Sequence, residues 1–253
     1  KFPLVLKADG LAAGKGVIVC KNKEEYENGL KIMFHENRFG DAGKKVSVEE
    51  CLIGEEISVF AICDGHDFII LNSAQDYKRA FDCDKGPNTG GMGAFSPTPL
   101  LTKYILDKTK SSIIKPILKA MDDLGHPYRG FLYIGLMIVE GEPFVIEFNV
   151  RMGDPETQVV LPLLETSLFK ILWNAVNGKL KNTKVKISPS AAVTVVLASE
   201  GYPDSYTKGM QINGLNNSDL LFHAGTIKNR NKIITNGGRV LNVIGFGDNL
   251  KIA

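Results

Sequence analysis

The sequence predicts an α+β protein, with a larger mixed domain followed by a small β-rich module. Three observations carry that prediction. Apolar runs of strand length alternate with helical periodicity up to about residue 176. After that come short strand patterns at 191–198, 220–228 and 239–245, with turn signals such as Asn236-Gly237-Gly238 between them. Residues 177–189, polar and lysine-rich, separate the two parts. The expected division is therefore 1–182 and 183–253.

In chain order, residues 3–8 and Val17–Cys20 read as strands joined by a glycine-rich connection. Lys23–Phe34 reads as a helix, since Tyr26, Leu30 and Met33 fall at helical spacing. Val46–Glu50, 57–63 and 68–73 read as strands, with Asp64-Gly65 as a hairpin turn. Residues 82–99 are dense in Gly, Pro, Asn and Thr and read as a loop. A helix is expected over 101–124, kinked or divided by Pro116. Strands at 130–139 and 144–151 flank the turn Glu140-Gly141-Glu142-Pro143, and an amphipathic helix at 159–176 ends near Gly178 as its C-cap.

Composition narrows the function. A chain of 253 residues with 44% hydrophobic and 23% charged residues has ample material for a core. A net charge of +2 argues against a dedicated nucleic-acid binder, and no apolar run approaches the 18 residues of a membrane span. Cys20, Cys51, Cys63 and Cys83 form no C-x-x-C pair and read as reduced thiols of a cytoplasmic protein. His35, His66, His126 and His223 show no zinc-ligand spacing. The chain opens at Lys1-Phe2-Pro3 without methionine and stops at Ala253 soon after a strand, so a piece of a longer protein is expected.

The chemistry concentrates at 145–156. Read as a strand, Ile146, Phe148 and Val150 point to a core while Glu147, Asn149 and Arg151 point the other way. Hard cations are held by one or two such oxygens together with substrate phosphates, and a guanidinium fork suits phosphate itself. The pattern points to phosphoryl transfer; the alternative is the solvated face of an antiparallel sheet.

Three further segments bear on that choice. Residues 7–17 resemble a P-loop without being one, because three residues rather than four separate Gly10 from Gly14 and Gly16 follows Lys15. A glycine-rich turn between strands either folds its N–H groups over phosphates, with Lys7 beneath, or is a hairpin with two solvated lysines. Glu49 to Glu56 ends one strand and begins another; backbone groups at Glu50 and Leu52 could meet an adenine edge, and Glu56 ribose hydroxyls. Asp76, Lys78 and Arg79 set both charge signs beside Gly86, Gly90, Gly91 and Gly93, whose ordering cost implies close backbone approach to something.

Together these residues resemble the phosphoribosylamine–glycine ligase family of ATP-grasp enzymes, along nearly the whole chain. Residues 86–94 and 147–158 are the specific segments. The resemblance implies an ATP-grasp core followed by the β-rich domain, and glycine and 5-phosphoribosylamine as substrates with ATP and Mg²⁺ or Mn²⁺. It implies phosphate contacts at Lys7, Gly10, Gly14, Lys15 and Gly16, adenine at Glu49, Glu50 and Leu52, and ribose at Glu56. Glu147 and Asn149 would ligate the metal, and Lys7 and Arg151 would carry the catalytic charge neutralisation. Asp76, Lys78, Arg79, Asn88, Thr89, Gly90, Gly91, Met92 and Asp154 would face the substrates. Tyr77 departs from the family pattern, which has histidine there. Neither nucleic acid nor membrane is an expected partner; a monomer, or part of a larger multidomain purine enzyme, is.

Overall fold

The computed structural model describes residues 1–10, 12, 16–36, 38–83, 85–215 and 220–253. They form two compact units, Lys1–Ile53 and Gly54–Ala253.

In the first unit, β1 (Leu4–Ala8) lies between β2 (Val17–Cys20) and a later strand, with helix α1 (Lys23–Phe34) between them in sequence. That later strand is β3 (Val46–Glu50), antiparallel to β1. The helix starts where its sequence says it should: the Asn22 side chain accepts from Glu25 N–H at 2.9 Å, and the Glu25 carboxylate reaches back to Lys21 N–H at 2.8 Å. Leu6, Cys20 and Met33 form the small core between helix and sheet. Gly29 permits the close approach, since a Cβ there would sit 2.8 Å from Leu6 Cδ1.

The second unit is built on two sheets. The first has the order β5-β4-β8-β9, all antiparallel, from β4 (Glu55–Asp64) and β5 (Phe68–Ile70) and, later in the chain, β8 (Arg129–Val139) and β9 (Glu142–Asn149). Beta-strand β4 is covered on both faces, which is why its sequence runs apolar from Val59 to Cys63 instead of alternating. One face, carrying Ile57, Val59, Leu132, Ile134 and Leu136, packs on Ile105, Ile114 and Leu118. The other, with Phe60, Ile62 and Tyr133, packs on Val159, Leu163, Ile171 and Ala192.

The second sheet, ordered β11-β14-β10-β7-β6, joins distant stretches of sequence. Strands β6 (Gln75–Phe81) and β7 (Lys85–Ser96) supply one side. The other comes from β10 (Ala191–Ala198), β11 (Leu220–His223) and β14 (Arg239–Gly247), while β12 (Thr226–Asn229) and β13 (Lys232–Thr235) form a separate hairpin. The β-rich tail predicted from sequence thus pairs directly with β7 through Ala192 to Val195. The buried Asp64 ties a further join: its carboxylate accepts N–H bonds from His66, Asp67 and Leu180. Burial works against that charge, but the three backbone donors hold its pKa below the ordinary carboxylate value.

Two sequence expectations change, and a third, the helix divided near Pro116, is met with the form of the division added. Residues 82–99, expected as a loop, are largely strand β7, because their glycines serve close packing within a sheet (below). The 101–124 helix is α2 (Lys103–Lys108), a π-turn at 109–114 and α3 (Lys115–Asp123). The wide turn accommodates Pro116, which lacks the N–H that a regular α-turn would use. The 159–176 helix divides into α4 (Thr157–Val160), a 3₁₀ turn containing Pro162, and α5 (Leu168–Val176). Gly178, with φ +64, ends it in the left-handed conformation expected of a glycine cap.

Candidate active site

Beta-strand β9 is an edge strand, and its ladder with β8 carries a bulge at Ile146. Beyond the bulge Glu147 lies opposite Gly135 and Asn149 opposite Tyr133, so the two side chains share one face. Asn149 Nδ2 donates to Glu147 Oε1 at 3.0 Å. On β4, Ser58 lies opposite the same Gly135 and Glu56 opposite Met137. Glu56, Ser58, Tyr133, Glu147 and Asn149 therefore project from one face of the sheet. Gly135 keeps the middle of that face low: a Cβ there would lie 3.1 Å from Glu147 Cγ. The apolar side of the strand does not enter the core as expected. Phe148 is 42% exposed because the edge strand lies at the margin of the core that covers β4 and β8, and Val150, past the end of β9, is 74% exposed.

A polar group sits beside β4. The pair of hydrogen bonds between Ser58 and Ala74 brings the start of β6 against it. Lys78 Nζ then bonds Glu56 Oε1 and lies 3.2 Å from Asp76 Oδ1, whose side chain is only 6% exposed. Burial opposes the ammonium charge, yet the fields and hydrogen bonds of Asp76 and Glu56 raise its pKa above the ordinary lysine value. Below them, Ser58 Oγ bonds both Tyr133 Oη (2.9 Å) and Glu156 Oε1 (3.2 Å). Burial, then the charge of Asp76, pushes the Glu156 carboxyl up to about 7; Ser58 and Lys78 pull the other way. Burial, then Glu156, raises the Tyr133 phenol as well.

The glycines around this group fit neighbours, and two such fits identify residues the sequence reading did not single out. A Cβ on Gly153 would fall 2.4 Å from the Glu156 carboxylate, which folds back over it. A Cβ on Gly90 would fall 2.9 Å from Arg239 Cζ, and Gly91, at φ +109, faces Pro155. Glu156 closes the 145–156 segment, where nothing in the sequence assigns it a role, and Arg239 follows a Gly-Gly pair whose sequence signal is only a turn. Ser58 and Tyr133 gave no signal, being polar groups in strands read for their apolar residues.

The remaining predicted residues are placed as follows. Thr89 Oγ1 donates to Lys78 O and accepts from Gly91 N–H, which joins the glycine strand to the Lys78 group. Arg79, exposed, donates to Gly86 O and lies opposite Asn88; Met92 is half-buried in β7. Asp154 meets Arg239 Nη2 at 3.2 Å and accepts from Gln158. Arg151 is exposed and donates to Met152 O. In the first unit, Lys7 Nζ pairs with Glu49 Oε2 at 2.6 Å, so two residues given separate roles are in contact. Gly10 N–H bonds Ala42 O, and a Cβ at Gly10 would lie 2.6 Å from Ala42 Cα, which accounts for that glycine by packing. Gly16 O accepts from Ala8 N–H; Glu50 is exposed at the end of β3 and Leu52 half-buried beyond it. Gly14 and Lys15 lie outside the described residues.

The protein class follows from this fold: residues 1–157 match the family model described as phosphoribosylglycinamide synthetase, ATP-grasp (A) domain. Likeness at the level of fold alone extends to the biotin carboxylase domain of a Hydrogenobacter thermophilus 2-oxoglutarate carboxylase, with TM-score 0.68, 17% identity, and 98% of this chain and 54% of that one covered. Residues 192–253 match the C domain of the same synthetase, and the chain belongs to the phosphoribosylglycinamide synthetase family. Phosphoribosylamine–glycine ligase of Leptospira interrogans is 49% identical over 99% of this chain. The crystal structure of the phosphoribosylamine–glycine ligase of Thermotoga maritima matches with TM-score 0.89 at 40% identity, covering 99% of this chain and 63% of that one. A trifunctional purine biosynthetic protein of Gallus gallus is 48% identical across all of this chain, which covers 26% of it. This chain spans about 60% of the length of the Leptospira relative.

Proposed function

We propose that this chain is the ATP-grasp and C-terminal portion, residues 1–182 and 183–253, of an ATP-dependent ligase that joins glycine to 5-phosphoribosylamine. The observation that carries the reading is the placement of Glu147 and Asn149 on the sheet face that also bears Glu56 and Ser58, in a chain 49% identical to a phosphoribosylamine–glycine ligase.

The reaction needs an activated carboxylate. The γ-phosphoryl of ATP passes to a glycine carboxylate oxygen, giving glycyl phosphate and ADP. The amine of phosphoribosylamine then attacks the acyl carbon, the C–O bond to phosphate breaks, and loss of an amine proton leaves glycinamide ribonucleotide and phosphate. Little covalent chemistry falls to side chains, so their work is positioning and charge compensation.

The donor set at β9 fits Mg²⁺ or Mn²⁺. Glu147 and Asn149 offer a carboxylate and an amide oxygen. Among the described residues no group of three or more His, Cys, Asp or Glu side chains is placed to hold a metal ion, at β9 or elsewhere, so the remaining ligands would have to come from substrate and water. Hard cations bound through one carboxylate normally complete their shell with phosphate oxygens and water. Bound there, such an ion would offset charge on the transferring phosphoryl group. Lys7 and Arg151 add cationic charge for phosphate, Glu49, Glu50 and Leu52 serve adenine, and Glu56 serves ribose. Asp76, Lys78 and the Asn88–Met92 strand hold the acceptor, whose amine and phosphate call for both charge signs. Four free cysteines and small polar substrates fit a cytoplasmic setting.

The test is ADP release by the full-length parent protein. Turnover should require glycine and phosphoribosylamine together, and residues 1–253 alone should turn over little. ADP release that follows bicarbonate instead would make the protein a carboxylase. ATP binding without release under any acceptor would make it a binding module.

A further inference from the structure

We propose that Arg239 is a positioning residue for this reaction: from the C-terminal sheet it fixes the Gly90–Gly91 backbone against the Asp154 turn and so sets the acceptor-binding strand in place. The inference rests on the ligase reading and extends it to a residue outside the expected site.

Arg239 opens β14, and its side chain is 21% exposed. Its Nη1 donates to Gly90 O at 2.6 Å and to Asp154 O at 2.8 Å, and approaches Gly91 O at 3.4 Å. Its Nη2 meets the Asp154 carboxylate at 3.2 Å. One planar fork thus joins three segments far apart in sequence, a geometry that guanidinium provides and a single ammonium does not. The site is built to receive it. Any side chain at Gly90 would occupy the guanidinium's place, and one at Gly91 would strike Pro155 Cδ at 2.4 Å.

The same strand is held from a second direction. Gly90 N–H donates to Tyr202 Oη at 3.0 Å, and Tyr202 lies over Gly238, where a Cβ would come within 2.2 Å of its ring. Both backbone groups of Gly90 are therefore held by the C-terminal region. From Gly90 the connection to the polar group is short, because Thr89 Oγ1 bonds Lys78 O. Loosening Gly90 should shift Thr89 and, through it, Lys78 with its partners Asp76 and Glu56.

The consequence is selective. Arg239 touches the strand assigned to the acceptor, so its loss should weaken glycine or phosphoribosylamine far more than ATP. In the full-length protein, Arg239→Lys and Arg239→Ala should each raise the KM for one acceptor at least about tenfold. The KM for ATP should stay within about twofold, and millimolar guanidinium should restore part of the Arg239→Ala loss. Tyr202→Phe should act in the same direction but less, and combined with Arg239→Lys it should be non-additive, because both hold one residue.

Acceptor KM and kcat unchanged in both arginine variants would overturn the proposal. So would equal rises for ATP and acceptor, or losses that track melting temperature without guanidinium rescue. A parent protein without glycine-dependent ADP release defeats the ligase reading itself, and this proposal with it. An active parent with unaffected variants defeats the role of Arg239 alone.

Discussion

Glu147 and Glu156 stand nine positions apart in one motif, yet the fold gives them opposite surroundings. Glu147 is exposed on an edge strand, with Asn149 as a hydrogen-bonded neighbour. Glu156 is 4% exposed beneath Ser58 and Tyr133, folded over Gly153, with its pKa pushed up to about 7 by burial and Asp76. The first carboxylate has oxygens to offer a ligand. The second has spent its contacts on the framework that holds the sheet, the Asp154 turn and the Lys78 group together. Membership of one sequence motif therefore does not imply one role, and the difference can be tested residue by residue.

The largest expected effect is at the exposed carboxylate. If the parent protein is the proposed ligase, Glu147→Ala in the full-length parent should lower kcat/KM by more than about 100-fold while unfolding free energy changes by no more than about 0.5 kcal/mol. Near-normal turnover would refute the proposed metal-binding role of Glu147.

The next effect belongs to Glu156 and is read in stability against pH. Its folded pKa lies above the unfolded value, so the folded state binds the extra proton between the two. This group's contribution to stability should therefore be full and flat below about pH 4.5, and fall as pH rises to about 7, by about 3 kcal/mol. Glu156→Gln keeps an acceptor for Ser58 and removes the titration. It should match the parent near pH 5 and exceed it near pH 8 in urea unfolding. Parallel pH profiles for the two proteins would refute a raised carboxyl. Asp76 and Lys78, which face it, act in opposite senses and are unchanged in both.

The smallest effect sharpens the contrast from the other end of β9. Glu142 pairs with Lys108 and Tyr104 at the surface. Exposed pairs gain little from Coulomb attraction in water. Lys108→Met should leave the unfolding midpoint without a resolvable change; a clear drop would mean that exposed and buried contacts on this sheet do not differ as described.

Much of the fold was legible because it is local. Helix α1 and strands β2 and β3 fall where periodicity and apolar runs place them. The failures share a cause. The glycines of β7 predict a loop because glycine lacks strand propensity, but Gly90, Gly91 and Gly93 are there to admit Arg239, Pro155 and the backbone of Thr194. The 159–176 pattern kept helical spacing across Pro162, where the backbone cannot continue its hydrogen bonds. Phe148 and Val150 alternate correctly, but alternation does not say whether a strand lies at an edge.

The site divides in the same way. Side-chain chemistry and a period of two were enough to put Glu147 and Asn149 on one face and to pick out Asp76, Lys78 and the glycines beside them. Those are properties of neighbours in the chain, and no folding is needed to read them. Burying Glu156, pairing Lys78 with Glu56, and bringing Arg239 to Gly90 each required contacts between residues distant in sequence. Such contacts are fixed by sheet pairing and by the space a missing Cβ leaves, which only the folded chain defines.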